Sequence, residues 1–377
     1  MIDLTTPKDQ LIEWFQMEFP ELVQSMKDCS HHYDDQNLNA YHLESDIFTH
    51  TMMVYKQAEN FSPNNKFVKF SALLHDIGKP MSMEIVEERK RKRFIGHEGV
   101  SAFMSADILN KTDLTTSEKI HIFKLISLHG NLFHHIKSDK TIKSDIVDVF
   151  KGEKTLLSDL THQVRADSTG RFYKNTDEND SLFTSQLPDR FQHIINQLDD
   201  GVAEGDLSAP VLTVLVGPPC SEKSTARDRL VSENPNLVVI SRDDLVEEFG
   251  KSKGMNYTET FRFLMDNKNI EKSEIADKFE KIKNDAKKAN KSVLVDMTSM
   301  SKKSRRKWIN EFPKHRAQCI VFVKGYNDLV KCAKKREEET GKGIPEKVIL
   351  NMLKSFTLPL YSEGFTEINY EWIPPRF

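Results

Sequence analysis

The sequence predicts two domains, an all-α N-terminal domain and a C-terminal α/β domain built on a parallel sheet. Up to about residue 172, apolar residues recur at helical spacing in one segment after another. Residues 173–209 are polar and turn-rich around one expected helix, so we expect them to link domains at 1–172 and 210–377. After Pro210, short apolar runs alternate with helical stretches, which is typical of a parallel sheet.

The composition is that of a globular protein, with 377 residues, 38% hydrophobic and 29% charged. No apolar run approaches the ~18 residues that a membrane span needs, so no membrane partner is expected. The N-terminal residues lack the pattern of a secretory signal. The four cysteines are scattered without a CxxC pair, which favours a reducing compartment and a cytoplasmic location.

The first half carries a set of histidines and aspartates that could bind metal. An adjacent His75-Asp76 pair within an apolar segment is costly unless something satisfies it, and a divalent metal does so. Imidazole and carboxylate suit Zn, Mn, Fe, Co or Ni, and a carboxylate can bridge two ions. One or two ions would polarise a phosphoryl group and activate water. Any one of these histidines alone would more often be an ordinary core or surface residue.

Residues from about 41 to 171 resemble the HD domains of metal-dependent phosphohydrolases and some tRNA nucleotidyltransferases. The resemblance lies in the segments THTMMV, LLHDIGKP, GHEG and ADSTGR. It implies a helical domain in which Asp76 is catalytic and a metal is bound by His50, His75, Asp76 and Asp167. It also implies a second-metal or phosphate role for His97 and His129, and a phosphate contact for Lys79. The substrate stays open, because HD domains cleave nucleotides, cyclic nucleotides and nucleic-acid ends.

The run VLTVLVGPPCSEKST begins the second half and nearly fits the phosphate-loop pattern GxxxxGK[ST]. Backbone N–H groups of such a loop cradle phosphates at a helix N-terminus. Lys223 is expected to reach the phosphates of ATP, and Ser224 or Thr225 to face Mg²⁺. The expected phosphate-binding residues are Gly217, Ser221, Glu222, Lys223, Ser224 and Thr225. Glu222 replaces the second glycine, which restricts the backbone and places a carboxylate beside the triphosphate.

Acidic residues follow two of the expected strands. Asp243 and Asp244 come after LVVI, and Asp296 comes after SVLV. The carboxyl ends of strands in a doubly wound sheet form the ligand crevice, where an aspartate can accept a proton or hold Mg²⁺ through water. The alternative for Asp243 or Asp244 is a helix N-cap.

The second half resembles the 5′-OH polynucleotide kinases of bacteriophage and bacterial RNA-repair systems, from the phosphate loop to VILNMLKSFTLPLYSEGF. The resemblance implies that Asp243 is the general base. It implies a catalytic lid residue, Arg336, with Lys335 and Lys342 as alternatives. Arg242, Asp296 and Lys79 are expected to contact nucleic acid or magnesium-bound water.

The order of the two halves resembles the bifunctional HD–polynucleotide kinase enzymes that heal nucleic-acid ends. The resemblance implies removal of a 2′,3′-cyclic, 2′- or 3′-phosphate from an RNA or DNA end, with RNA expected. It implies transfer of the ATP γ-phosphate to a 5′-OH and sealing by a separate ligase. Two alternatives remain open: an HD nucleotidase beside a small-molecule kinase, and an HD phosphohydrolase beside a decayed kinase that docks nucleic acid.

Overall fold

The structure is a computed structural model that describes residues 8–137, 139–173, 178–202 and 205–376. The chain forms two compact units, as the sequence predicts. The first unit runs to Gly201 and also includes Leu353–Leu358, and the second runs from Val202 to Met352 and resumes at Pro359. Across these described residues, no helix is both long and apolar enough to cross a membrane.

The first unit is helical, as predicted. Its helices are α1 (Lys8–Glu18), α2 (Pro20–Asp28), α3 (Ile47–Phe61), α4 (Lys66–Leu74), α5 (Lys79–Ser82), α6 (His97–Leu109), α7 (Thr116–Leu128), α8 (Ile146–Val149), α9 (Lys154–Thr169), α10 (Glu178–Ser185) and α11 (Leu187–Ile195). The segment MEIVEERKRKRFIG forms the expected hairpin, with β1 (Glu84–Val86) antiparallel to β2 (Arg91–Arg93). Short 3-10 turns cover Glu87–Arg89 and Leu132–His135.

Helices α3, α4 and α9 form the centre of this unit. Their apolar faces meet in a buried cluster that contains Val54, Ala72 and Ala166. Side chains at the N-termini fix where the helices begin, because they bind backbone N–H groups that the helix leaves unpaired. Asp46 accepts from Thr49 N at the start of α3, and Asn65 accepts from Val68 N at the start of α4. Histidines and aspartates near the ends of these helices are thereby held in place.

The segment expected to link the domains contains two helices, α10 and α11, instead of one. The apolar residues of α11, including Leu187, Phe191 and Ile194, are buried. Both helices pack against α9. Residues 174–177 and 203–204 of the expected linker lie outside the described residues.

The second unit is an α/β domain. Its elements are β3 (Val211–Val216), α12 (Lys223–Glu233), β4 (Val238–Ile240), α13 (Arg242–Ser252), α14 (Tyr257–Asp266), α15 (Lys268–Ile270), a π-helix (Glu271–Ala276), α16 (Asp277–Lys288), β5 (Val293–Val295), α17 (Lys302–Glu311), β6 (Arg316–Val323), α18 (Tyr326–Thr340), α19 (Glu346–Lys354), a 3-10 turn (Tyr361–Glu363) and β7 (Glu367–Trp372).

The predicted parallel sheet is confirmed and has five strands in the order β4-β5-β3-β6-β7. All neighbouring strands are parallel. Four strands coincide with the apolar runs of the sequence, whereas β7, EINYEW, was not predicted. Leu215, Leu294 and Phe322 form part of the core between the sheet and its helices. Because the strands are parallel, the loops after β3, β4 and β5 meet at one edge of the sheet.

Candidate functional site

The histidines and aspartates predicted in the first half converge, although they come from distant parts of the chain. They are His50 of α3, His75 and Asp76 after α4, His97 of α6, His129 after α7 and Asp167 of α9. His97 is partly buried and the others are buried. Asp76, only 1% exposed, lies at the centre of the set.

The two carboxylate oxygens of Asp76 face two different groups of side chains. Asp76 Oδ2 lies 3.5 Å from His50 Nε2 and 3.1 Å from His75 Nε2. Asp76 Oδ1 lies 3.2 Å from His97 Nε2 and 3.7 Å from His129 Nε2. Asp167 completes the first group, with Oδ1 3.2 Å from His50 Nε2. Each group brings its nitrogen and oxygen atoms within 4.8 Å of one another, close enough to hold a metal ion.

Backbone contacts orient three of these imidazoles toward the centre. The Nδ1 atoms of His75, His97 and His129 lie 2.7–2.8 Å from the carbonyl oxygens of Ala72, Phe94 and Ile126. When Nδ1 donates its proton to such a carbonyl, Nε2 is left with a free lone pair. Histidines that bind metals are held in this way by hydrogen bonds from the opposite ring nitrogen.

The donor atoms at the centre are not satisfied by the protein itself. His50 Nε2, His75 Nε2 and Asp76 Oδ1 are buried without a hydrogen-bond partner, whereas Asp76 Oδ2 has the Lys79 ammonium group 2.7 Å away. An unsatisfied buried polar group costs about 1–3 kcal/mol, and a charged one more. A divalent cation would accept electron pairs from all of these atoms at once. The residues present therefore fit one or two divalent metal ions with nitrogen and oxygen ligands.

The pKa shifts of Asp76, Asp167 and His129 favour the binding of a cation, whereas, against the effect of burial, contacts with carboxylates raise the pKa values of His50 and His97. Burial alone would raise the pKa of Asp76, but the charges of His75 and Lys79 lower it well below its ordinary value. Burial alone would raise the pKa of Asp167, but its contact with His50 and the charges of His75 and Arg171 together lower it well below its ordinary value. Burial lowers the pKa of His129 to about 4, so this imidazole is neutral at pH 7. Ionised carboxylates and a neutral imidazole are the forms that bind metal.

A layer of side chains lies beside this cluster, and of these only Lys79 was predicted from the sequence. Glu44 Oε1 lies 3.0 Å from His50 Nδ1 and 2.8 Å from His42 Nδ1. Lys79 Nζ lies 2.7 Å from Asp76 Oδ2 and 3.4 Å from His31 Nε2. Lys79 thus contacts the central carboxylate of the cluster, whereas the sequence predicted a contact with phosphate. The only sequence signal for Glu44 was its position shortly before His50.

In the second unit, the phosphate loop connects β3 to α12 as expected. Gly217 admits no side chain, because a Cβ atom there would lie 2.7 Å from Ser221 Oγ. Ser221 is fully buried and donates to Pro218 O at 2.8 Å. Lys223, the first residue of α12, also donates to Pro218 O, at 2.6 Å, and burial lowers its pKa to about 8. Ser224 and Thr225 are exposed at the helix N-terminus.

Glu222 has the left-handed backbone expected for the glycine it replaces, with φ of 72°. Its charge is compensated on both oxygens. The buried Lys324 donates to Glu222 Oε1 at 3.2 Å, and Arg376 donates to Glu222 Oε2 at 2.8 Å. Neither cation was singled out from the sequence. The repulsion expected between Glu222 and a triphosphate is therefore opposed by two positive charges.

The acidic residues predicted after β4 and β5 lie beside this loop. Arg227 joins them, because Nη1 donates to Asp244 Oδ1 at 3.1 Å and to Asp296 Oδ2 at 3.0 Å. Burial raises the pKa of Asp296, while Arg227 opposes that rise. Asp243 lies in the first turn of α13 and accepts a hydrogen bond from Tyr257 Oη at 2.9 Å. The N-cap of α13 is Ser241, so neither Asp243 nor Asp244 has that role.

A cavity of about 1050 Å³ contains most of these side chains. Its lining includes Glu222, Lys223, Ser224, Thr225, Arg242, Asp243, Asp296, Lys335, Arg336 and Lys342. Gly217 and Ser221 lie in the loop below and are not part of the lining. Arg242 donates to Glu271 Oε1 at 2.8 Å, and Lys342 pairs with Glu247. The cavity brings a phosphate loop, acidic residues and basic side chains together.

Comparisons with known proteins assign both halves to domain families. Residues 47–154 match the HD domain, and residues 212–359 match the AAA domain. One similar solved structure belongs to the Pnkp1/Rnl/Hen1 RNA repair complex, at 24% identity and a TM-score of 0.30, with 41% of this chain and 47% of that chain covered. This chain thus spans about half the length of that one. Another is described as a candidate kinase from Chloroflexus aurantiacus, at 15% identity and a TM-score of 0.32, with 45% and 92% covered. No match was found among curated proteins.

Proposed function

We propose that this chain, which carries an HD domain and an AAA domain with a phosphate loop, heals the broken ends of nucleic acids. The HD domain would remove a 2′,3′-cyclic, 2′- or 3′-phosphate, and the second domain would phosphorylate a 5′-OH end from ATP. One observation carries this proposal: a metal-fitting cluster around Asp76 and a phosphate loop beside Asp243 occur in the same chain. RNA is the expected substrate.

In the HD domain, the proposed ligands are His50, His75, Asp76 and Asp167, with His97 and His129 at the other oxygen of Asp76. Bound divalent ions would polarise the phosphoryl group and lower the pKa of water. Lys79 is poised beside the same carboxylate, at 2.7 Å from Asp76 Oδ2. If a divalent ion bound Asp76 Oδ2, the ammonium group of Lys79 could pair with a phosphate oxygen of the substrate instead.

In the second domain, Lys223 is proposed to bind the β- and γ-phosphates and Ser224 or Thr225 to face Mg²⁺. The 5′-OH would donate to Asp243, which would take its proton as the oxygen attacks the γ-phosphate. Arg336 is proposed to stabilise charge on the transferring phosphoryl group. Asp296 is proposed to hold magnesium-bound water, which is supported by its position after β5 in the lining of the same cavity.

The two proposed reactions are chemically complementary. The first leaves a 3′-OH and the second leaves a 5′-phosphate, which are the two groups that a ligase joins. A separate ligase is therefore the expected partner.

The proposal is tested with a short RNA that carries a 5′-OH and a 2′,3′-cyclic phosphate. The protein is incubated with ATP, Mg²⁺ and either Mn²⁺ or Ni²⁺, and both ends are read by mass spectrometry. Both ends should change in the wild-type protein. His75→Ala should abolish only the 3′ reaction, and Asp243→Asn only the 5′ reaction.

A matched control is His121→Ala, because His121 pairs with Asp159 outside the cluster. This variant should keep both reactions. A change at the 3′ end alone would mean that the second domain does not phosphorylate the 5′ end and is either a docking domain for nucleic acid or silent. If neither end changes, the proposed substrate class is wrong, and free mononucleotides replace nucleic-acid ends as the substrates to test.

A further inference from the structure

One face of α14 carries apolar side chains that the core uses only in part. Leu264 is buried in a cluster with residues of α13 and the π-helix, and Phe263 and Tyr257 pack against that cluster. Phe261 is 42% exposed and Met265 is 51% exposed. Tyr257, Phe261 and Met265 are spaced by four residues, which places them on one side of a helix. We refer to these three residues as the α14 shelf.

The shelf begins at the proposed general base. Tyr257 Oη donates to Asp243 Oδ1 at 2.9 Å, which fixes its ring beside the carboxylate that would receive the 5′-OH proton. Tyr257 and Phe261 both line the cavity that contains the phosphate loop. Their rings are nearly parallel, at 19°, with centroids 6.5 Å apart. An aromatic surface thus extends outward from the position proposed for the reacting hydroxyl.

Positive charges accompany this apolar surface. Lys342 Nζ, which is paired with Glu247, lies 4.5 Å from the centroid of the Tyr257 ring, and Lys268 Nζ lies 3.5 Å from Met265 Sδ. Aromatic side chains with lysines beside them match the alternation of bases and phosphates in a single nucleic-acid strand. A small polar metabolite bound beside Asp243 would not reach the outer part of this surface.

The shelf is also held in place by polar contacts. Asn256 and Glu259 form a capping box at the start of α14. Thr258 Oγ1 donates to Gly341 O at 2.7 Å, which joins this helix to the loop that follows α18. The ring of Phe261 is therefore presented on a fixed backbone, which reduces the entropy lost when a ligand stacks on it.

From this placement we propose that the α14 shelf binds the 5′-terminal nucleobase of a single strand by stacking on Phe261. The next nucleotide extends toward Met265, and Tyr257 positions the 5′-OH end beside Asp243. This assignment rests on the proposed kinase function and names the part of the substrate that the second domain recognises. Stacking tolerates any base, so the shelf would favour a polynucleotide end whatever its sequence.

The test combines a protein change with a substrate change. Phosphorylation kinetics are measured with an oligonucleotide whose 5′-terminal residue is intact or abasic. In the wild-type protein, removing the base should raise KM about five-fold or more. Phe261→Ala should raise KM for the intact oligonucleotide by a similar factor, with kcat and KM for ATP unchanged. For the abasic oligonucleotide, Phe261→Ala should have little further effect, and Phe261→Trp should retain wild-type KM values.

Ile85→Ala is the control, since Ile85 lies on β1 of the first unit and is exposed to a similar degree, 53%. It should leave all these constants unchanged. Equal effects of Phe261→Ala on intact and abasic substrates would overturn the shelf and leave the kinase proposal standing. If the wild-type protein phosphorylates no 5′-OH oligonucleotide, both the kinase proposal and the shelf are overturned.

Discussion

Replacement of Lys324 with methionine should weaken ATP binding and destabilise the second unit. The ammonium group of Lys324 is fully buried and lies 3.2 Å from Glu222 Oε1. Methionine fills a similar volume but carries no charge. Glu222 would then have Arg376 as its remaining charged partner. The carboxylate would then meet the incoming phosphates with much of its charge uncompensated.

The size of the effect follows from two contributions. Removing one partner of a buried ion pair costs about 3–5 kcal/mol, and the low end applies because the Glu222 side chain is 16% exposed and retains Arg376. The free energy of unfolding should therefore fall by about 2–3 kcal/mol. The substitution removes one positive charge, which at an assumed separation on the order of 8 Å from a phosphate charge takes away roughly 2 kcal/mol of attraction at an effective dielectric constant of about 20. ATP affinity should then fall about 30-fold.

Affinity is measured by calorimetric titration with ATP and Mg²⁺, and stability by denaturant unfolding. Lys283→Met is the matched control, because Lys283 is also a buried lysine of this unit, paired with Glu280 and Glu311. It should lose stability without losing ATP affinity. Glu222→Gly in the Lys324→Met background should restore ATP binding, since it removes the charge and suits the positive φ. Unchanged affinity in Lys324→Met, or no rescue by Glu222→Gly, would refute this reasoning.

Three further predictions concern the two candidate sites. His75→Ala should reduce bound metal and 3′-phosphoesterase activity about 100-fold or more while kinase activity persists. Elemental analysis measures the metal and end-group assays measure the two activities. Unaltered metal content would contradict the ligand assignment. ATP affinity should fall as the pH rises through about 8, because the Lys223 ammonium, whose pKa burial lowers to about 8, loses its proton before nucleotide binds. The dissociation constant should rise by up to tenfold per pH unit, and this dependence should disappear in Lys223→Arg. Arg227→Ala should raise the pKa of Asp296 further and move the acidic limb of the kinase pH profile upward; an unmoved limb would show that Asp296 does not titrate in the reaction.

The sequence predicted the parts of the fold that depend on local pattern. The apolar runs ending at Val216, Ile240 and Val295 form neighbouring parallel strands, and the helical periodicity of the first half is confirmed. The strand β7 was missed because EINYEW alternates charged and polar residues with apolar ones and is only partly buried. A strand buried on both faces leaves a continuous apolar run, like the other four strands, whereas a partly buried strand leaves an alternation of polar and apolar residues.

Side chains that act through tertiary contacts could not be predicted in the same way. The pairing of Glu222 with Arg376 joins residues 154 positions apart, and no spacing rule connects them. Arg227 looks like an ordinary helical arginine until the sheet brings it against Asp244 and Asp296. The metal roles of the histidines, the kinase roles and the proposed domain boundaries remain predictions.

The contacts of Glu222 also constrain the order in which Glu222, Lys324 and Arg376 can have arisen during evolution. An exposed arginine is nearly neutral, so Arg376, whose side chain is 58% exposed, could precede Glu222 at little cost. A lysine as buried as Lys324 is costly without a carboxylate beside it, so it is favoured only after Glu222. Once all three are present, replacing Glu222 with glycine would leave the buried ammonium with Cys220 O and Cys332 Sγ as partners and without its carboxylate. The substitution is therefore entrenched, and relatives with glycine at this position should carry an uncharged residue where this chain has Lys324.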